Sequence, residues 1–212
     1  MGRPERTAFF VILAIIFLSG ALEIRARAEF VLIDRTVALV GNRAILESDF
    51  EKRVCYEAAK EGITPDAVDR EKLLRKMVDE TLVVEEAART GLVEPNEERL
   101  KESIARVEDV FSRCPDGCEK VCGDGGFATA LALREETLRS FVEKRIRVFL
   151  TYSEQDLKDF YRIRKNDYPG TYEEERNRIK RDYEEFAVTR EFRKELERLR
   201  KRTKIVITEG KR

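Results

Sequence analysis

The chain reads as mostly α-helical, with a small antiparallel sheet built from an N-terminal hairpin and the C-terminal strand. Three observations predict this. Apolar residues recur at helical spacing over most of the sequence. A strand, a tight turn and a second strand are legible near the start, in IDRTVALVGNRAILESDF, Ile33 to Phe50. A single β-branched run, Lys204-Ile205-Val206-Ile207-Thr208, follows the last helix. A lone hairpin has two bare edges and is marginal by itself. The terminal run is the available partner, so the two ends of the mature chain should meet and enclose the helices in one domain, residues 29–212.

The elements follow in order. Val37, Leu39 and Val40 form the first strand, Gly41-Asn42 supplies a turn pair that tolerates positive φ, and Ile45-Leu46 returns. Ser48 followed by Glu51 fits a capping box for a first helix from about Asp49 to Lys60, ended by Gly62. Thr64-Pro65 should open the second helix, with Pro65 at the first helical position. Leu73, Leu74, Met77, Val78, Leu82 and Val84 give its apolar stripe and Gly91 its end. Leu92-Val93 reads as an extended link. Pro95 then opens a third helix, with Leu100, Ile104, Val107 and Phe111 on one face. A Gly- and Asp-rich loop spans Arg113 to Gly126. Phe127–Leu133 reads as a short helix, and Glu135–Thr151 as a longer one carrying Leu138, Phe141, Val142, Ile146, Phe149 and Leu150. Ser153 and Asp156 cap the next helix, which bears Leu157, Phe160, Tyr161 and Ile163. Thr171 caps a helix of about thirty residues, to about Thr203, with Phe192, Leu196 and Leu199 among its apolar positions.

Charged residues make up 40% of the 212, and the formal net charge is +0. Hydrophobic residues at 42% still suffice for a core, which argues against global disorder. Residues 1–28 resemble a secretory signal. Arg3 and Arg6 precede an apolar run from Ala8 to Leu18, too short for a bilayer span of about 20 residues. Ala26-Arg27-Ala28 fits a cleavage site, so the mature chain would start at Glu29. No cysteine follows the apolar run, so lipidation is not indicated. The alternative is an uncleaved inner-membrane anchor over residues 8–24. Residues 1–28 carry Arg3, Arg6, Arg25 and Arg27 against Glu5 and Glu23, so the remainder has a net charge of −2. No basic surplus points to nucleic acid.

Four cysteines in an exported chain suggest disulfides. Pro115-Asp116-Gly117 is a turn that would bring its flanks together, favouring Cys114–Cys118 and leaving Cys122 for Cys55. Free thiols remain open. So does a metal or redox site, although three thiols at four-residue spacing with no histidine are not a usual zinc pattern, and Cys-x-x-Cys is absent.

The chain has no histidine, which removes the commonest general base and metal ligand and any Ser-His-Asp triad. Phosphate-loop, dinucleotide and Gly-x-Ser-x-Gly motifs are missing. Carboxylates are interleaved with Lys and Arg on helix faces and do not single out an acid–base pair. The expectation is a non-enzyme with no catalytic residue, metal, cofactor or small-molecule substrate.

The stretch VALVGNRAILESDFEKRV resembles the opening of the SurA family of periplasmic chaperones, through Val37, Val40, Asn42, Ile45, Leu46, Ser48 and Asp49. Leu73–Gly91, Leu138–Val148 and the terminal helix with Lys204-Ile205-Val206-Ile207 resemble, in order, later segments of that family's N-terminal module. The resemblance implies a SurA N-domain-like helical module, and an ATP-independent periplasmic chaperone for unfolded outer-membrane polypeptides. Family members commonly carry parvulin-type isomerase domains. Here Tyr152 passes straight to Ser153, so isomerase activity is not implied. The cysteine loop is outside the family pattern. Phe127, Phe141, Phe149, Tyr152, Phe160 and Tyr161 are candidate client contacts, with core packing the competing role for each. A structural or adaptor subunit of an envelope complex is the alternative function. A homodimer is possible.

Overall fold

The computed structural model describes residues 34–91 and 96–208. The signal or anchor segment, the Leu92-Val93 link and Pro95 lie outside these. The terminal strand does close on the hairpin. β1 (Thr36–Val40) pairs antiparallel with β2 (Arg43–Leu46) and with β3 (Ile205–Ile207), giving the order β2-β1-β3. Gly41 turns the hairpin at φ 58°, and its N–H donates to the Lys204 carbonyl at 2.9 Å. That left-handed backbone, with Glu85 Oε2 only 3.3 Å from where a Cβ would sit, is why glycine stands there.

Helix α1 (Glu47–Glu61) begins at once after β2, so Ser48 lies inside its first turn and is not its cap. Asp34 takes over the capping task. It accepts the Ser48 hydroxyl at one oxygen and the Ser48 N–H, at 3.2 Å, at the other. Glu51 turns to Arg70. Thr64-Pro65 opens only a 3₁₀ turn, Pro65–Ala67, because Val68 is extended. Helix α2 (Arg70–Thr90) starts later, capped by Asp69, which accepts from the Lys72 N–H. Its buried stripe includes Leu73, Met77, Leu82 and Val83, whereas Val84 is half-buried. Helix α3 (Glu97–Phe111) is capped by Asn96.

After the short α4 (Glu119–Cys122), helix α5 (Gly125–Phe141) runs through what the sequence divides into two helices. Asp124 caps it, and no breaker stands near Leu133–Glu135. It ends in a π turn, Val142–Ile146, and a 3₁₀ turn, Arg147–Phe149. Helices α6 (Glu154–Ile163) and α7 (Tyr172–Arg202) start with the capping boxes expected, Ser153/Asp156 and Thr171/Glu174. Helices account for most of the described residues, and the core has three parts. The sheet, α1, α2 and the ends of α5 and α7 share one, around Val40, Phe50, Met77, Phe141 and Leu199. Tyr56, Val107, Phe111 and Leu131 form the second, and the α6–α7 hairpin encloses the third around Leu157, Phe160, Ile179 and Tyr183.

All four cysteines are bonded, but the pairing differs from the sequence expectation. Cys55 joins Cys118 and Cys114 joins Cys122, with Cα–Cα distances of 5.8 and 6.0 Å. The physical reason is the turn's position. The Pro115 carbonyl accepts the Cys118 N–H at 3.1 Å, so the turn spans 115–118, not 114–118. Cys118 thereby swings inward, fully buried, onto α1. Cys122, one helical turn further on, faces back to Cys114. Two such bonds belong to an oxidising, extracytoplasmic compartment. No helix among the described residues is long and apolar enough to cross a membrane.

Candidate functional site

A concavity lies between α2, the end of α5 with its π turn, and α7. Its volume is about 690 Å³. Leu138, Val142, Phe192 and Leu196 supply its apolar surface, and Lys72, Arg75, Lys76, Arg139 and Arg147 line it beside Asp79, Glu80 and Glu143. The sequence places these side chains simply. Leu138 and Val142, and likewise Phe192 and Leu196, are four apart and share a helix face. Phe141, the neighbour of Val142, points about 100° away around the helix and enters the core.

The charges around the groove are mostly satisfied from within. Arg53, buried beneath it, donates to Glu57 at 3.1 Å and to Glu80 at 3.0 Å. Lys76 also reaches Glu57, at 2.8 Å. Burial pushes the Glu57 carboxyl up, but the hydrogen bond from Lys76 and the charge of Arg53 outweigh it and hold the group below the usual range. Burial lowers the Arg134 guanidinium, which donates to Thr81 at 3.2 Å. Arg99 reaches Glu143 and Arg147 reaches Glu185, both at 2.8 Å. Most of these charges are engaged, although the buried Glu80 Oε2 has no hydrogen-bond partner among the described residues, and the groove offers apolar contact area within a mainly cationic lining. Among the described residues no group of His, Cys, Asp and Glu could hold a metal ion.

Compared with known proteins, the chain matches no family model and no curated protein sequence.

The six candidate client-contact aromatics do not form one surface. Phe141, 1% exposed, belongs to the central core, and Phe160, 6% exposed, packs edge-on to Tyr183 at 5.4 Å. Both are corrected from contact to core, since neither ring reaches solvent without opening the fold. Phe127 is half-buried against Phe111, with Lys52 over its ring. Tyr152 is half-buried against Tyr183 and donates to Glu184, and Tyr161 donates to the Gly170 carbonyl at 2.8 Å. Phe149 alone of the six is openly displayed, at 73% exposure, beside a smaller cavity of about 430 Å³ walled by Arg190, Lys194 and Arg198 of α7. The groove residues Phe192 and Leu196 stand in the sequence only as apolar positions of the long helix. Their signal is an i,i+4 apolar pair in a helix whose neighbouring positions are charged, which says that the pair meets something but not that part of it stays open.

Proposed function

We propose that this chain is an exported, ATP-independent periplasmic chaperone module that binds unfolded outer-membrane polypeptides in the groove under α7, without prolyl isomerase activity. One observation carries the reading: an open concavity between helices, lined in part by four half-buried apolar side chains, Leu138, Val142, Phe192 and Leu196. A partly apolar concavity with a few convergent polar groups is the ordinary form of a binding site. The ordered resemblance of the hairpin, α2, α5 and the returning strand to the SurA-type module supports the same reading, and so does the pair of disulfides for the compartment.

The test is aggregation of an unfolded porin with and without the oxidised protein. Suppression near stoichiometric amounts is expected. Leu196→Glu should weaken client affinity about tenfold, the loss of one well-placed contact, with helix content unchanged. Phe149→Ser, away from the groove, should leave affinity intact. No suppression at stoichiometric excess overturns the reading. Recovery of one stoichiometric envelope partner in place of many β-barrel proteins would favour the adaptor function.

A further inference from the structure

Among the described residues β3 is an edge strand, and its register shows which of its backbone groups point away from β1. Val40 faces Ile205, Leu39 faces Val206 and Ala38 faces Ile207. On either side of these pairs the Gly41 N–H donates to the Lys204 carbonyl, and the Thr208 N–H donates to the Val37 carbonyl. Hydrogen-bonded pairs alternate along an antiparallel ladder, so Val206 is the residue bonded to Leu39 between them. The N–H and C=O groups of Ile205 and Ile207 therefore point away from β1. Among the described residues they have no ladder partner.

The side chains beside this edge are apolar and open. Val206 is 43% and Ile207 46% exposed, and Leu39 lies across from Val206 on the same face of the sheet. An added strand would carry its alternate side chains against Val206 on one face and against Ile207 on the other. An occupant that satisfies both demands is an extended segment with free backbone groups and alternating apolar residues. A second copy of this chain fits less well. Each β3 offers three residues, far short of the roughly 1,200 Å² that a stable interface buries. A short edge of this kind suits a weak, reversible contact. Lys204, exposed at the head of the strand, adds a cation that a segment with an acidic end would meet.

We infer that β3 takes up an extended client segment by strand addition, through the outward N–H and C=O groups of Ile205 and Ile207. This deepens the chaperone reading and rests on it. It assigns the place and the mode of binding, which is backbone-directed and tolerates many sequences.

The test uses the mature, oxidised protein and a ten-residue peptide of alternating Val and Thr with one terminal Asp. A second peptide of the same sequence is N-methylated at its four central residues, which blocks both of its edges. Anisotropy of the labelled peptides reads affinity. The unmodified peptide should bind, and N-methylation should weaken it at least tenfold, because each net hydrogen bond is worth about 1 kcal/mol. Ile207→Pro removes one outward donor and leaves the bonds to β1, since proline is tolerated where the N–H faces out of an edge. It should weaken the unmodified peptide about three- to tenfold, with the Thr208 amide still protected from hydrogen exchange. If both peptides bind equally, or neither binds, strand addition is overturned. If sedimentation shows a dimer that Ile207→Pro abolishes, the occupant is a second copy and the inference is likewise overturned. Porin aggregation and the Leu196→Glu variant report on the groove separately, so strand addition can fail while the chaperone reading stands.

Discussion

Arg200 holds Asp79 with two parallel hydrogen bonds, Nε and Nη2 lying 2.9 and 2.7 Å from the two carboxylate oxygens. The residues are 121 positions apart, one near the end of α7 and the other in the middle of α2 beside the groove. A few residues away Arg202 reaches buried Glu86, again from α7 to α2. These contacts fix how the returning helix lies on the body of the domain. A bidentate guanidinium–carboxylate pair specifies orientation as well as distance.

The pair should therefore couple energetically. A double-mutant cycle with Asp79→Asn and Arg200→Gln, read by urea denaturation, is expected to give a coupling of about 0.5–1 kcal/mol, at the upper end for a partly exposed pair. Additive single effects would mean that α7 does not hold this position in solution. The same cycle at Arg190 and Glu191, neighbours on one helix, should give less, because that contact ties nothing to α2.

The disulfide pairing makes a sharper prediction. Trypsin cuts after Arg53, Lys60, Arg113 and Lys120, so one peptide carries Cys55, a second both Cys114 and Cys118, and a third Cys122. The observed bonds link all three peptides into one species. Had Cys114 closed on Cys118, a two-peptide species and a separate looped peptide would appear. Non-reducing digestion and mass spectrometry are expected to show the single three-peptide species. Stability should follow the loops closed, 63 residues for Cys55–Cys118 and 8 for Cys114–Cys122. On loop entropy, replacing the first pair by serine costs about 4 kcal/mol and the second about 2.5 kcal/mol. A larger loss for the second pair would contradict the assignment.

Much of this architecture was legible before the structure, for reasons that are local. The Gly41-Asn42 turn, the capping boxes at Ser153 and Thr171, and the Gly62 and Gly91 ends each depend on a few adjacent residues. The partnership of β3 with β1 was legible by elimination, since one hairpin needed a partner and one strand remained. What escaped was set by contacts from afar. Asp34 relieved Ser48 of its capping role from 14 residues away. Val68, by staying extended, moved the start of α2 from Thr64-Pro65 to Asp69. One residue of turn phase redirected Cys118 to Cys55. The aromatics misled because ring size announces burial potential and not which side of a helix faces out. Phe141 and Phe149 sit on one continuous segment, yet the π and 3₁₀ turns between them send one to the core and the other to solvent.

The α6–α7 hairpin should have its own acid sensitivity. Glu154, in the first turn of α6, accepts from Arg176 Nε at 2.9 Å and Nη2 at 2.7 Å, and from the Tyr172 hydroxyl at 2.6 Å. The Arg176 hydrogen bonds first, and Tyr172 second, hold the Glu154 pKa down at about 2, against an ordinary value of 4.5. A carboxyl depressed in the folded state contributes stability that is whole above its unfolded pKa and is lost as pH falls through the folded one. The contribution of Glu154 is thus present at pH 5 and above, fades from about pH 4.5 downward and is gone below about pH 2. Unfolding midpoints of the chain and of Glu154→Gln should differ most above pH 5 and converge as the pH approaches 2. Carbon-13 titration of the side chain reads the cause directly: Arg176→Ala should return the Glu154 midpoint most of the way to 4.5. A midpoint already near 4.5 in the unaltered chain would show that Arg176 does not grip Glu154, and that the packed core around Leu157, Phe160, Ile179 and Tyr183 joins the two helices of the hairpin without it.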